Sequence, residues 1–418
     1  MQKSSINNGF IQQWASSIME RYLERRSYIE RISAGRGDTD VIKVITGMRR
    51  CGKSVLLQMY SDELIKTGVP KENIIQVNFE NFEYQGIKDK DLLNEFLSKR
   101  ITTDDSYYVL LDEIQNVEGW ELTLSGLVSM GNCDVYITGS NSDMLSSKLA
   151  THISGRHVEI RVFPLSLSEF MRMHEYSDGE AAMRDYLEYG GLPGIDLSRG
   201  SRYVMDYLEG VYSTIVIKDV LRHVNVRDPS KVRAIARFLF SNIGNITNKA
   251  SIAKETGLSE STVGMYLDAM EEAFLVLQCN RYDAVGKKLL RTNSKYYVMD
   301  LGLRKAALDL AAGTDLSRPL ENVVYVELLR RGYKVRVGSY RDSEVDFIAS
   351  RDGEIEYYQV CQTLMTDGTR ERETRALMRP ADSYPKTVLT LDRFGLGNDN
   401  GIMIRNVVEW LLERSHAS

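Results

Sequence analysis

The residues best suited to chemistry form an eight-residue loop, 47–54, with the sequence Gly-Met-Arg-Arg-Cys-Gly-Lys-Ser. This loop fits the pattern G-x-x-x-x-G-K-[ST] at every fixed position. Glycines let a backbone curve around phosphate oxygens, and N–H groups at a helix start attract anions. Lys53 can reach the β- and γ-phosphates, and the Ser54 hydroxyl can ligate Mg²⁺. The predicted nucleotide-binding residues here are Gly47, Arg50, Cys51, Gly52, Lys53, Ser54 and Val55.

A second chemical signal is an apolar run that ends in two acids. Val-Leu-Leu at 109–111 is followed by Asp112 and Glu113. Ligands of open parallel sheets bind at the carboxyl ends of the strands, where both the loop and these acids would lie. Asp112 is therefore predicted to hold Mg²⁺ together with Ser54, and Glu113 to polarise the attacking water while Lys53 stabilises charge. The alternative is a strand that ends in a solvated acidic pair.

Two further polar positions follow the acids along the chain. Thr-Gly-Ser-Asn at 138–141 ends an apolar run, and Asn141 or Ser140 could position water beside the γ-phosphate. Simple turn chemistry is the alternative there. Arg156 precedes the next apolar run, where an arginine can stabilise a transferring phosphoryl group, in cis or in a neighbouring subunit. A surface arginine is the alternative.

The elements that must position these residues can be read from hydrophobic periodicity. Apolar runs alternate with helical segments, which predicts an α/β fold with a mostly parallel sheet and helices on both faces. A helix is predicted over residues 12–33 and a helical lid after the sheet. The predicted strands are 41–45, 74–79, 107–111, 134–138 and 157–162.

Bulk composition limits the class of protein. The 418 residues suggest two to four domains. A net charge of −5 gives no global attraction to nucleic acid, so such binding would need a local basic patch. The four cysteines form no CxxC pair, which favours a reducing compartment over a zinc site or disulfide framework. With no signal peptide and no apolar run near 18 residues, we expect no membrane span and a cytoplasmic location.

The order of these motifs carries a family resemblance. The phosphate loop, Leu-Leu-Asp-Glu, Thr-Gly-Ser-Asn, Gly-Arg, Phe-Pro-Leu-Ser at 163–166 and Tyr-Gly-Gly-Leu-Pro at 189–193 resemble the prokaryotic, STAND-like AAA-type ATPases. The group most like this chain has a C-terminal half described only as a domain of unknown function. The resemblance runs from about residue 20 to residue 395 and implies ATP and Mg²⁺ as ligands. It further implies that the Gly-x-Pro turn of the lid, Gly191-Leu192-Pro193, takes the place of a sensor arginine, that Asn141 matches the first sensor, and that Arg156 matches the arginine finger.

The C-terminal half resembles two further modules. Residues 231–278 look like a winged helix-turn-helix, but 259–277 contain no lysine or arginine. Because phosphates repel acids, this favours a protein-contact or structural role over DNA reading. Four acids lie on that segment: Glu260, Asp268, Glu271 and Glu272.

The last region resembles a PD-(D/E)xK nuclease, with Glu321 and Glu327 on a helix and Asp346 on a strand. Gln359 stands where the second acid is needed and Cys361 where the lysine is needed. A metal-dependent nuclease needs anionic ligands and a group that activates water. We therefore predict an α/β, restriction-endonuclease-like fold that is inactive in cleavage.

The predicted organisation has four parts: an N-terminal helix and P-loop NTPase core at 1–164, a helical lid at 165–228, a winged helix at 229–285 and the nuclease-like domain at 286–418. The predicted function is an ATP-hydrolysing switch or remodeller that acts on an unknown macromolecular partner, a protein or DNA. Arginine-finger logic suggests a homo-oligomer. The alternatives are a DNA-binding ATPase coupled to a nuclease and an ATP-binding scaffold without turnover.

Overall fold

The computed structural model describes most of the chain as two compact units. The described residues are 22–102, 104–140, 155–221, 224, 228–283, 288–309, 316–340, 343–366, 368–380 and 382–413, with backbone alone at 288–292. The first unit comprises Met1–Gly47, Gly52–Gly139 and Asp143–Val162, and the second comprises Met48–Cys51, Ser140–Ser142 and Phe163–Ser418. The variable residues of the phosphate loop therefore belong to the second unit.

A five-stranded parallel sheet forms the centre of the first unit. Its strands stand in the order β2-β3-β4-β1-β5, and every neighbouring pair is parallel. β1 and β4 are buried along their whole length, as expected for strands covered on both faces. The predicted parallel sheet is confirmed. The strands are β1 Ile42–Thr46, β2 Ile74–Asn78, β3 Tyr107–Asp112, β4 Cys133–Gly139 and β5 His157–Arg161.

Among the described residues, four α-helices accompany this sheet: α1 Arg26–Ser33, α2 Lys53–Lys66, α3 Lys90–Ser98 and α4 Trp120–Met130. Buried side chains of α3 and α4 join those of β2, β3 and β4 in one apolar core. The predicted helix over 12–33 begins only at Arg26 within the described residues, and 12–21 lie outside them. Arg25 precedes the helix; its side chain is buried, and its guanidinium lies 4.4 Å from the centre of the Tyr28 ring.

The second unit begins with helices α5 Leu167–Met173, α6 Gly179–Tyr189 and α7 Ser201–Thr214, and α7 continues into a π-helical segment at Ile215–Val220. A capping box formed by Ser166 and Glu169 starts α5. The remaining helices are α8 Pro229–Ser241, α9 Lys249–Thr256, α10 Glu260–Glu272, α11 Leu301–Leu308, α12 Ser317–Arg330, α13 Thr369–Leu377 and α14 Val407–Leu412.

A nine-stranded mixed sheet runs through the rest of this unit in the order β13-β14-β12-β11-β10-β9-β7-β8-β6. The predicted domain boundary between residues 285 and 286 lies outside the described residues. The two strands that precede and follow it pair with each other in this sheet. The winged helix at 229–285 stays a prediction. The strands are β6 Ile246–Thr247, β7 Val276–Asp283, β8 Lys288–Val298, β9 Lys334–Tyr340, β10 Ser343–Arg351, β11 Glu354–Cys361, β12 Lys386–Thr390, β13 Gly397–Asp399 and β14 Ile402–Asn406.

A buried ion pair links the neighbouring strands β1 and β4 of the first sheet. Lys43 Nζ on β1 lies 2.6 Å from Asp134 Oδ1 on β4, and both side chains are almost fully buried. The ammonium also donates to the Asp38 carbonyl, and the other carboxylate oxygen accepts the Gly37 N–H at 2.7 Å. Removal of one partner of such a pair leaves an uncompensated charge in a low dielectric, which is costly.

We expect Lys43→Met to lower the free energy of unfolding by about 3–5 kcal/mol, because Asp134 is left charged and buried. Lys43→Met combined with Asp134→Asn should recover part of that loss, since an amide still accepts from Gly37 without a charge. Thermal and urea unfolding measure both effects. Lys90→Met, in an exposed pair with Asp91, is the control and should cost under about 1 kcal/mol. A wild-type melting temperature for Lys43→Met would contradict the assignment.

Candidate nucleotide site

The phosphate loop joins β1 to α2 through backbone that favours glycine. Gly47 and Gly52 have φ values of 147° and 102°, in a region that side chains disfavour. Between them the Cys51 N–H donates to the Met48 carbonyl at 3.3 Å, and the Cys51 side chain is fully buried. Gly52 is the N-cap of α2 and has no side chain to cap it. The first-turn N–H groups of α2 therefore have the arrangement in which helices bind anions.

Lys53 is held at the start of α2 by two groups. Its ammonium donates to the Gly47 carbonyl at 2.9 Å and lies 3.8 Å from Glu113 Oε1. Its side chain is only 3% exposed, so a charge there is not screened by bulk water. The structure thus brings together three of the predicted residues: the loop glycine, the lysine and the second acid.

Asp112, the last residue of β3, lies within a dense set of hydrogen bonds. Asn78 at the end of β2 donates to Asp112 Oδ2 at 2.6 Å, and the Thr138 hydroxyl on β4 donates to Oδ1. The Ser54 side chain is a further hydrogen-bond partner. Burial raises the pKa of Asp112, while the hydrogen bonds from Thr138 and Ser54 oppose that rise. Ser54 and Asp112 together offer the hard oxygen donors that Mg²⁺ prefers, so this pair fits the metal predicted from the sequence.

Glu113 follows β3 in a left-handed backbone conformation, with φ 55° and ψ 45°. Its N–H donates to the Thr138 hydroxyl oxygen at 3.0 Å, and its carboxylate accepts from the Gln115 side chain. Left-handed backbone is uncommon for a residue with a Cβ and recurs at functional sites. Thr138 therefore contacts both acids.

The partners of the acids were missed in the sequence. Thr138 lies within the Thr-Gly-Ser-Asn stretch, but only Ser140 and Asn141 were assigned to it as candidates. Asn78 ends β2, and its register partner on β3 is Asp112. A polar residue at the end of each parallel strand was the available signal, because those ends meet at one edge.

The remaining predicted site residues of the first unit and its loop do not join this set of hydrogen bonds among the described residues. Arg50 is exposed with φ 69°, and Val55 is half-buried in the first turn of α2. Arg156 is exposed directly before β5, and its carbonyl accepts the Ile42 N–H at 3.0 Å. Among the described residues, no hydrogen bond joins its guanidinium to the acids of the first unit. Asn141 lies outside the described residues.

Pro193 belongs to a turn of the second unit that backbone bonds hold in place. Gly191 accepts the Leu165 N–H at 2.7 Å through its carbonyl, and its own N–H donates to Asp300 Oδ2 at 2.7 Å. A Cβ on Gly190, which has φ 78°, would clash with the same carboxylate. Asp300 also caps α11 through the Leu303 N–H, and burial raises its pKa to about 6.

The predicted nuclease-like residues partly converge. Asp346 on β10 and Glu321 on α12 both approach the Lys295 ammonium of β8, at 3.5 Å and 2.9 Å. Glu344 lies 2.7 Å from the same ammonium. Burial disfavours the charged lysine, but the three carboxylates outweigh it and raise the pKa of Lys295. Glu327 does not join this cluster, because it pairs with Arg330 and Arg331. Lys295 was not predicted, since it comes from a distant strand.

Gln359 and Cys361 on β11 provide no charge to this cluster. The Gln359 amide bridges the Asp346 N–H and Glu373 Oε2, at 3.1 Å and 2.8 Å. Burial raises the pKa of the Cys361 thiol to about 12, which keeps it neutral. Among the described residues, no three His, Cys, Asp or Glu side chains are arranged to hold a metal ion.

Comparisons of the chain with protein-family models and with known proteins are consistent with a nucleotide-binding domain around the phosphate loop. Residues 39–171 match a family model described as an AAA domain, and residues 180–314 match one described as a domain of unknown function. The chain is 37% identical over 402 residues to an uncharacterized protein of Haemophilus influenzae, covering 94% of this chain and 99% of that protein. It is 29% identical over 386 residues to an uncharacterized protein of Methanocaldococcus jannaschii, covering 86% and 83%.

Solved structures resemble the chain more distantly. The replication initiator DnaA bound to AMPPCP and single-stranded DNA matches with a TM-score of 0.31 and 18% identity, covering 61% of this chain and 91% of that one. Aeropyrum pernix ORC1 in complex with DNA matches with a TM-score of 0.34 and 12% identity, covering 69% and 93%. Likeness at this level carries no functional argument. None of the described helices is long and apolar enough to cross a membrane.

The raised pKa of Asp300 gives a pH-dependent prediction. Its pKa is about 6 in the folded chain against 3.8 for an ordinary aspartate, so between those pH values the folded state binds the proton more tightly. Stability from this group is therefore present below about pH 4 and is lost as the pH rises through 6. Relative to Asp300→Asn, wild type should lose on the order of 3 kcal/mol between pH 4 and 7.

Thermal unfolding of wild type and Asp300→Asn at matched pH values measures this difference. Asp206→Asn, at an exposed carboxylate of α7, is the control and should follow wild type at every pH. A constant gap between wild type and Asp300→Asn from pH 4 to 7 would contradict the titration of Asp300.

Proposed function

We propose that this chain, which belongs to the family of the Haemophilus influenzae protein and matches an AAA domain at residues 39–171, binds ATP with Mg²⁺ and hydrolyses it. The proposal rests on one observation. The Thr138 hydroxyl donates to Asp112 and accepts from the N–H of Glu113, so one buried group orients both acids beside Lys53. Catalytic acids need fixed positions relative to the phosphate that they serve.

The binding step uses the loop and the start of α2. N–H groups of the loop and of the first turn of α2 would surround the β-phosphate, and the Lys53 ammonium would reach the β- and γ-phosphates. The Ser54 hydroxyl and Asp112 would hold Mg²⁺, which when bound supplies positive charge to the phosphate oxygens. Asn78 and Thr138 fix the Asp112 carboxylate through its two oxygens, so neither oxygen rotates freely.

The hydrolysis step depends on Glu113. Its carboxylate would accept a hydrogen bond from the attacking water and orient it towards the γ-phosphate. Lys53, whose ammonium lies 3.8 Å from Glu113 Oε1, would stabilise the charge on the transferred group. We also propose that Asn141 positions water, that Arg156 stabilises phosphoryl charge in cis or in a neighbouring subunit of a homo-oligomer, and that Pro193 lies in the turn covering the nucleotide.

We propose a macromolecular partner in the cytoplasm, on which nucleotide turnover acts as a switch or remodelling step. The support is the extent of the second unit, which continues from Phe163 far beyond the AAA domain. The exposed acids Glu260 and Asp268 of α10 would repel DNA phosphates, so a protein is favoured as partner at this helix.

Hydrolysis is tested by phosphate release with Mg²⁺, with and without DNA. Lys53→Ala should lose nucleotide affinity and turnover, because the phosphates lose their cation. Glu113→Gln should keep affinity but reduce turnover by about 100-fold or more, because an amide cannot act as a base. Glu118→Gln, at an exposed neighbouring carboxylate, is the control and should match wild type. Wild-type release no faster than that of Lys53→Ala would overturn the hydrolysis proposal.

We propose that residues 286–418 do not cleave nucleic acid, because the Lys295 ammonium already lies among the three carboxylates and Gln359 and Cys361 carry no charge. Plasmid and single-stranded DNA incubated with Mg²⁺ or Mn²⁺ should therefore be cut no faster by wild type than by Asp346→Ala. Cleavage by wild type that Asp346→Ala abolishes would instead support the alternative, an ATPase coupled to a nuclease.

A further inference from the structure

A two-pronged ion pair holds the middle of the phosphate loop. Arg49 Nε lies 2.9 Å from Asp219 Oδ2, and Arg49 Nη2 lies 2.9 Å from Oδ1. The two side chains are 14% and 6% exposed. Bidentate pairs of arginine and carboxylate are geometrically specific as well as strong. The pattern of the loop leaves position 49 free, so nothing in the motif itself requires this arginine.

Asp219 is placed by an unusual element. It lies in the π-helical segment Ile215–Val220, which continues α7. Single π-helical turns within α-helices are rare and occur frequently at functional sites. Asp219 also accepts a hydrogen bond from the Ser140 hydroxyl at 3.4 Å. One carboxylate of the second unit therefore bonds to a loop residue four positions before Lys53 and to a residue two positions after Thr138.

Stability alone gives a weak reason for this arrangement. A buried ion pair contributes little net stability compared with apolar side chains of similar size, because both charges must be desolvated. What such a pair does supply is a fixed distance and direction between the groups it joins. A loop whose central residues are fixed beforehand loses less conformational entropy when it closes around phosphates.

We propose that Asp219 is a positioning residue for the nucleotide: through Arg49 it holds the phosphate loop in the form that accepts the β- and γ-phosphates of Mg·ATP. This inference rests on the proposed function. Loss of the pair removes a contact made equally in the ground state and the transition state, so it weakens binding rather than the chemical step.

Calorimetric titration with Mg·ADP and steady-state hydrolysis of ATP test the inference. Arg49→Ala and Asp219→Ala should each raise the Kd for Mg·ADP and the KM for ATP about tenfold, with kcat within about threefold of wild type. The double variant should be no worse than either single variant, because the two residues act as one unit. The exchange Arg49→Asp with Asp219→Arg should recover part of the affinity.

Two further variants keep the test decisive. Arg199→Ala removes an exposed arginine from a pair with Asp196 in the same unit and should leave Kd and KM unchanged. Arg49→Lys retains the charge without the two-pronged geometry, and it should raise Kd even if Asp219→Ala does not fold. A lower melting temperature with unchanged Kd and KM would overturn the inference and leave a structural role. A fall in kcat alone, or additive effects in the double variant, would also overturn it.

The same titrations separate this inference from the proposed function. Wild type that binds Mg·ADP, together with Arg49 and Asp219 variants that bind equally well, would overturn the positioning role alone. Wild type that binds neither Mg·ADP nor Mg·ATP, and matches Lys53→Ala, would overturn the nucleotide function and the positioning role with it.

Discussion

The hydroxyl group of Thr138 is the contact on which the arrangement of the first unit's acids depends. It donates to Asp112 and accepts from the backbone of Glu113, at a position where no solvent reaches it. A buried hydroxyl has one donor and a limited set of acceptor directions, so both acids are fixed relative to β4. β4 is in turn joined to β1 by the Lys43–Asp134 pair, and β1 leads into the phosphate loop. A short chain of buried polar contacts thus fixes the acids relative to the strand that carries the loop.

The second unit also contains buried charged groups that other groups of the protein contact, but these groups do not form a site suited to phosphate. Lys295 is surrounded by three carboxylates from two other elements, α12 and β10, and Asp300 is held by backbone N–H groups of the Gly191 turn and of α11. In both cases the partner of a charge is supplied by the protein itself. The cluster around Lys295 therefore has the character of an internal ion-pair network, whereas the region of Lys53, Ser54 and Asp112 keeps donors and acceptors suited to phosphate and a hard cation.

Local pattern predicted much of the first unit. Each of the five strands was recognised from its apolar run, and Lys53, Asp112 and Glu113 were proposed as site residues because motif and strand end coincide. The missing residues are those whose partners are distant in sequence. Thr138 and Asn78 contact the acids because of the order of the strands, and Lys295 meets its carboxylates because of the pairing of β8. Asp219 lies in a π-helical segment that hydrophobic periodicity does not predict. The hydrophobic periodicity of a segment predicts which face of that element is buried. It does not predict which polar groups two elements bring together.

At Glu113 the backbone conformation favours glycine, whereas the proposed chemistry needs a carboxylate. Its left-handed conformation would suit glycine, and a side chain there costs on the order of 1 kcal/mol. Glycine, however, has no carboxylate. If only folding were under selection, this position would drift towards glycine or asparagine, whereas selection for turnover would retain the acid. The residue found at position 113 in any descendant or engineered version of this chain therefore indicates whether selection acted there on folding or on turnover.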